Sequence, residues 1–264
     1  MKWSSLHIFY YGNVNMLLTN CILKLYKEKY INTFFFIRYW NGGPHIRLRI
    51  ANKNYNQILE IKEIIKKYLN QYPSTVQLSN EEYTLKSDEF STKEGIESLP
   101  LQDNNSILEI PYSPEMNKYI DENALYLSEM IFSISSIYAL NILNTSNKKS
   151  ELYYISMQHT MYMLQFFIKE DSQLAEFLEN YFKYWRIFSE GKPIKVPKIN
   201  RLINMEFLKY DSYFEILKKT YSNSEIQGLV FNYIHLFNNR LGIDTKEEAF
   251  LAQCLLRYIR EDEH

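Results

Sequence analysis

The stretch FFFIRYWNGGPHIRLRI, residues 34–50, constrains the fold of this chain more than any other. Two β-type runs flank Asn41-Gly42-Gly43-Pro44, a strong turn signal, so a hairpin is expected, with strands near 33–40 and 45–50. The first run is nearly continuous apolar and aromatic residues, as in a strand covered on both faces. The second alternates. Side chains two apart leave a strand by the same face. Ile46, Leu48 and Ile50 therefore form an apolar face, and His45, Arg47 and Arg49 stand together on the other. An ordinary solvated face of an edge strand gives the same pattern. Against it, two guanidiniums side by side repel unless something anionic lies between them. A carboxylate, phosphate or developing oxyanion answers that need, and Arg grips such groups through two donors at once.

Around this hairpin, residues 5–11 read as a strand. Residues 14–30 read as an amphipathic helix with Leu17, Leu18, Cys21, Ile22 and Leu25 inward, and 54–72 as a second helix on Ile58, Ile61, Ile65 and Leu69. Residues 73–105 are polar and weakly periodic and read as a long loop or lid, with a short strand near 83–85. A further strand is expected at 107–112. Beyond it, helices are expected at 115–143, 151–168, 173–188, 206–221, 224–241 and 246–260, with the clearest break at 191–197. The expected class is α+β: an N-terminal mixed sheet with helices in strand-helix-hairpin-helix order, then a C-terminal helical bundle. Residues 1–264 are expected to form one integrated domain, 1–112 being the α+β part and 113–264 the helical part.

Composition narrows function by exclusion. Lys and Arg number 30 against 31 Asp and Glu, a net charge of −1. General nucleic-acid affinity is not expected of that balance, so a basic site has to be local. The sequence reads as lacking an apolar run of the roughly 18 residues that span a bilayer, and its start lacks the plan of a secretion signal. A cytoplasmic protein is expected, with Cys21 and Cys254 reduced and buried in helical patterns. Metal-ligand spacing and phosphate-cradling loops do not stand out, and no cofactor is inferred.

Two further stretches carry candidate chemistry. In IPYSPEMNKYID, residues 110–121, Tyr112 and Glu115 flank a strand-to-helix corner and Lys118 and Tyr119 follow. Simple helix capping accounts for Glu115 equally well. In YIHLFNNRLGI, residues 233–243, His235, Asn239 and Arg240 place polar groups on an apolar helix, His235 and Asn239 on one face. A lone histidine there also serves as a satisfied core residue.

The succession RYWNGGPHIRLRI, YSPEMNKY and IHLFNNRL resembles the thiopeptide-type bacteriocin biosynthesis family, which shares its fold with the C-terminal glutamate-elimination domain of lantibiotic dehydratases. The motifs stand in the family's order across nearly the whole chain. The resemblance implies work on a ribosomally made precursor peptide that carries a leader, alongside other enzymes of one pathway. It implies that Arg47, Arg49 and His235 correspond to the family's functional residues and meet at a common cavity. A base would take a proton, and the guanidiniums would steady an enolate-like oxygen or a departing carboxylate.

Two departures matter. Where eliminating members read Arg-Tyr-Gly-Gly, this chain has Lys118-Tyr119-Ile120-Asp121, and lysine keeps the charge but loses the planar fork. The large glutamylation domain of full-length dehydratases is also missing, so a standalone unit is expected. Both departures favour a pyridine synthase, which joins two dehydroalanines of one peptide by a formal [4+2] aza-cycloaddition with loss of water and leader. In that reading His235, Tyr119, Arg47 and Arg49 do the chemistry, and His45, Tyr112, Glu115, Lys118, Asn239 and Arg240 bind substrate. A standalone glutamate eliminase remains open, as does a non-catalytic leader-binding subunit that takes a peptide along the edge of strand 5–11.

Overall fold

The computed structural model describes residues 1–146, 148–187 and 208–262. The expected break at 191–197, the last residue of the helix expected at 173–188 and the first residues of the one expected at 206–221 lie outside the described residues. The architecture is α+β. The chain divides into two compact units, Met1–Pro114 with Ser136–Leu143, and Glu115–Ser135 with Asn144–His264.

In the first unit, β1 (Trp3–Phe9), β2 (Phe34–Tyr39), β3 (His45–Ala51) and β4 (Ser106–Glu109) form an antiparallel sheet in the order β2-β3-β1-β4. This order corrects two expectations. β3 lies inside the sheet, so the row of cations is not the outer face of an edge strand. β1 is also interior, with β4 on its outer side, so it offers no edge for an added peptide strand. Leu6, Ile8, Phe34, Phe36, Ile46, Leu48 and Ile50 are at most 1% exposed. Each such burial is worth about 1.5–3 kcal/mol, which fixes the alternation and sends the odd-numbered residues of β3 to the opposite face.

Between β1 and β2 runs a helical stretch: α1 (Val14–Leu17), a π-helical turn (Leu18–Ile22) and α2 (Leu23–Lys27). Asn13 caps it, its side-chain oxygen accepting from the amides of Asn15 and Met16. Helix α3 (Tyr55–Gln71) opens on a capping box between Asn54 and Gln57 and buries the expected Ile58, Ile61, Ile65 and Leu69.

The expected loop 73–105 is not a loop throughout. Helix α4 (Asn80–Glu94) fills its centre, between a Ser79/Glu82 capping box and Gly95 in the left-handed conformation. The short strand expected near 83–85 lies inside that helix. The chain after it straps the hairpin turn. Asn41 donates to the Glu97 carbonyl and accepts from the Leu99 amide, and Tyr83 accepts from the Gly42 amide and donates to the Leu99 carbonyl. The turn itself needs its glycines: Gly42 and Gly43 have φ of 93° and 103°, and a Cβ on Gly43 would sit 2.6 Å from the Tyr11 hydroxyl.

Strand β4 ends at Glu109, short of the expected Tyr112, and the helix expected from Glu115 starts later. Met116–Lys118 form a 3-10 turn, and α5 (Glu122–Thr145) begins where Asp121 caps the Ala124 amide at 2.7 Å. By length and composition α5 is apolar enough to cross a bilayer, which corrects the reading that no run reaches that length. With 61% of its most apolar stretch buried within the protein, it also fits a core helix. Its Ser136 hydroxyl accepts the Phe36 amide of β2 within the first unit.

The second unit holds α6 (Lys149–Phe167), α7 (Asp171–Arg186), α8 (Asp211–Thr220), α9 (Asn223–Leu241) and α10 (Thr245–Asp262). Helix α10 packs on α7 and α6, and α9 on α6 and α8. Gly242, with φ of 76°, ends α9, and the amides of Gly242 and Ile243 return to carbonyls of its last turn. Cys21 and Cys254 are buried free thiols, as expected.

Candidate functional site

The expected site residues fall in both units. In the first, the face of the sheet opposite the apolar layer carries the cations. Cross-strand register sets His7 against Arg47, Ser5 against Arg49 and Phe9 against His45, while β2 brings Tyr39 to His45, Ile37 to Arg47 and Phe35 to Arg49. Aromatic rings hold the guanidiniums. The Arg47 guanidinium lies 3.4 Å from the Tyr39 ring centre, and that of Arg49 lies 5.8 Å from Phe35 and 5.2 Å from Tyr112. Such faces attract cations through the ring quadrupole, and here they keep two like charges in one row.

His45 is oriented from both ends. Its Nδ1 lies 2.8 Å from the Gly43 carbonyl, and Arg47 Nε donates to its Nε2 at 3.3 Å. Nδ1 therefore carries the proton and Nε2 accepts, the neutral tautomer. Burial pushes His45 down to about 4, reinforced by Arg47 and Arg49 and opposed by the Gly43 carbonyl. Stacked on it at 5.1 Å is His7, pushed down to about 3 by burial and then by the charges of its neighbours. At neutral pH the row therefore consists of two cations and two uncharged imidazoles.

In the second unit, His235 on α9 is 26% exposed at its side chain, and its Nδ1 lies 2.9 Å from Oε1 of Glu248 on α10. Glu248 is almost wholly buried, and its other oxygen accepts the Tyr181 hydroxyl from α7. The imidazole stacks on Trp185 at 4.4 Å and 23°. A histidine held at Nδ1 by a buried carboxylate and packed against an indole has a set tautomer and plane, and its Nε2 makes no hydrogen bond among the described residues.

Tyr119 is mostly buried. Burial, then Glu115 and Glu129, push its hydroxyl up to about 12, opposed by a hydrogen bond with Asn232 and by Arg240. It is a neutral hydrogen-bond donor at physiological pH. Lys118 and Glu115 pair with each other at 2.6 Å on the surface, their side chains 53% and 64% exposed. Arg240 is wholly buried, donates to the Ser135 hydroxyl and lies over the Phe132 ring. Asn239 is half-buried, while its neighbour Asn238 is buried and accepts from Ser156 at 2.5 Å.

Four residues escaped the sequence reading: Ser5, His7, Glu248 and Tyr181. Strand pairing in the first unit sets Ser5 and His7 beside Arg49 and Arg47, helix packing in the second sets Glu248 and Tyr181 beside His235, and local periodicity carries no sign of either. Among the described residues no group of three or more His, Cys, Asp or Glu side chains is placed to hold a metal ion.

A family model described as Lantibiotic biosynthesis dehydratase C-term matches residues 3–259. The chain belongs to this family. Nisin biosynthesis protein NisB of Lactococcus lactis subsp. lactis is 24% identical over 240 residues, which are 87% of this chain and 22% of NisB. The chain thus spans about a fifth of that relative. In fold, this lantibiotic dehydratase C-terminal family member is similar to a pyridine synthase, TbtD, from thiomuracin biosynthesis. The TM-score is 0.70 at 14% identity, with 99% of this chain and 98% of TbtD covered. It is also similar to the tRNA-dependent lantibiotic dehydratase MibB from Microbispora sp. 107891, with a TM-score of 0.62 at 14% identity, covering 100% of this chain and 29% of MibB.

Proposed function

We propose that this protein matures a ribosomally made peptide by formal [4+2] aza-cycloaddition of two dehydroalanines, giving a pyridine-containing macrocycle with loss of water and leader. The observation that carries the reading is the end-to-end likeness to a pyridine synthase, with 99% and 98% of the two chains covered. The cationic row and the oriented His235 agree with it chemically. One dehydroalanine and its preceding amide have to tautomerise to an aza-diene. His235 Nε2 serves as a base for the proton shifts, and Arg47 and Arg49 polarise an amide oxygen or grip the peptide. The neutral Tyr119 hydroxyl supplies or relays a proton. Most of the acceleration comes from holding two distant segments of a flexible peptide face to face, worth up to about 7–11 kcal/mol.

Glutamate elimination is the second reading. Arg47, Arg49 and His235 are the residue types that it also needs, while the surface Lys118–Glu115 pair at the Arg-Tyr-Gly-Gly position argues against it. The test is to incubate purified protein with a dehydrated precursor, and separately with a glutamylated one, and to read masses. Loss of leader fragment plus water supports cycloaddition. Loss of glutamate assigns elimination instead. Unchanged mass with tight leader binding refutes both and leaves a binding subunit.

A further inference from the structure

The two edges of the sheet differ. In β2 the Phe36 amide points away from β3 and donates to the Ser136 hydroxyl at 3.1 Å, so that edge is covered. The other edge is β4. The Ile110 amide donates back to the Ser5 carbonyl at 3.3 Å, and alternation along an antiparallel ladder then turns the amides and carbonyls of Ile107 and Glu109 away from β1. Among the described residues no strand lies beyond β4 to meet them. Apolar side chains border this ladder on both faces of the sheet. On one face Leu108, paired with His7, and Ile110 are exposed. On the other, Glu109 meets Lys62 of α3 at 2.8 Å, and Tyr55 and Leu59, on the same stripe of α3 as Lys62, are exposed as well. Proteins usually blunt an open edge with charge or a covering element. Here Lys62 and Glu109 neutralise each other, and the side chains at the rim are apolar.

We propose that the β4 edge, from Ser106 to Ile110, docks an extended apolar segment of the peptide substrate, which adds to the four-stranded sheet as a further strand. This deepens the reading above and rests on it for the peptide nature of the substrate. Chemistry and length choose the occupant. Ile107 and Glu109 each turn one N–H and one C=O outward, the pattern that an extended backbone answers. A strand added there sends its side chains alternately to Leu108 and Ile110 on one face and to Tyr55 and Leu59 on the other. The ladder is short. Asn105, with φ of 62°, turns the chain at one end, and Pro111 has no N–H to continue it at the other. A segment of about five residues fills that length, whereas a stable contact between two folded copies takes roughly 20–30 residues a side. The added strand lies three strand spacings from β3, roughly 14 Å. A peptide anchored here therefore reaches Arg47 and Arg49 with about four or five further residues. Recognition of the peptide and chemistry on it are thus separated along one sheet.

The experiment is hydrogen–deuterium exchange of the full chain, read by mass in proteolytic fragments that span residues 106–110, without and with the synthetic peptide acetyl-Lys-Val-Ile-Val-Ile-Lys-amide. In the free protein the amides of Ile107 and Glu109 exchange fast. With saturating peptide the fragment is expected to retain about two more protons. Kd is expected to rise roughly tenfold in Leu108→Lys and in Leu59→Lys, both exposed positions whose change keeps the fold. The same peptide N-methylated at its four central amides keeps its side chains, loses its donors and gives no protection. Absence of protection by the parent peptide, equal protection by the methylated one, or an unchanged Kd in both folded variants overturns the proposal. So does protection already present in the free chain, which, with a dimer's mass in sedimentation, assigns the edge to a second copy. No precursor and no turnover enter this measurement, so its failure is distinct from failure of the cycloaddition reading.

Discussion

Replacing Glu248 with Gln keeps the volume of a nearly wholly buried side chain and removes the charge that holds His235. Two hydrogen bonds are at stake, from the His235 Nδ1 side at 2.9 Å and from the Tyr181 hydroxyl. Hydrogen bonds to a charged partner contribute about 1.5–3 kcal/mol each. The amide retains one acceptor oxygen, so the net loss is expected nearer about 1–3 kcal/mol. For a protein of this size that lowers Tm by roughly 3–10 °C, leaving the fold intact. The effect on chemistry runs through tautomer. If the amide NH2 faces Nδ1, that nitrogen becomes an acceptor, the ring proton moves to Nε2, and the lone pair needed as base is gone. Turnover then falls at least about tenfold, since each 1.4 kcal/mol of lost transition-state stabilisation is a factor of ten. Glu248→Asp restores part of it. Thermal unfolding, turnover by mass spectrometry and long-range 15N–1H NMR of the His235 ring are the assays. A folded Glu248→Gln protein with unchanged His235 tautomer and unchanged turnover refutes the reasoning.

Gly43→Ala is expected to cost stability in denaturant unfolding by well over about 1 kcal/mol, because it forces a positive φ on alanine and places a methyl group 2.6 Å from the Tyr11 hydroxyl. It should also reduce turnover, since the Gly43 carbonyl orients His45. Acid should destabilise the fold in a defined window. His45 and His7 titrate near 4 and 3 when folded, against about 6.5 in an unfolded chain. The unfolded state therefore binds protons first as pH falls. Stability is full above about pH 6.5 and declines through pH 4 toward pH 3. Unfolding curves at several pH values check this, and His7→Gln should flatten the slope. His235→Ala should leave the fold intact and turnover strongly reduced, and Tyr119→Phe should reduce turnover at unchanged Tm. Both follow from mass-resolved turnover beside circular dichroism.

The hairpin and the helices with strong stripes were readable because their periods are local. Ile46, Leu48 and Ile50 alternate with His45, Arg47 and Arg49, and one face had to be apolar. Helix α4 was missed because its sequence is polar with a weak stripe, although the Ser79/Glu82 capping pair and Gly95 mark its ends. The start of α5 was placed too early because Ser113-Pro114-Glu115 imitates a helix start, whereas Asp121 supplies the actual cap. Glu248 was invisible as a partner of His235. An acidic residue in the first turn of a helix reads as a charge favoured by the helix dipole, and only the packing of α9, α10 and α7 turns it inward. Ser5 and His7 were hidden for a related reason: a strand was recognised at their position, but which strand lies beside it is decided by pairing with residues forty or more positions along the chain.

The interior position of β3 has a consequence for how the sheet assembles. Sliding this strand by one residue against either neighbour would turn every side chain over. The imidazole and both guanidiniums would enter the layer now filled by Leu6, Ile8, Phe34 and Phe36, and three branched aliphatic side chains would leave it. Misaligned pairing is thus penalised from both flanks at once, and the basic residues act as an alignment key while the chain folds.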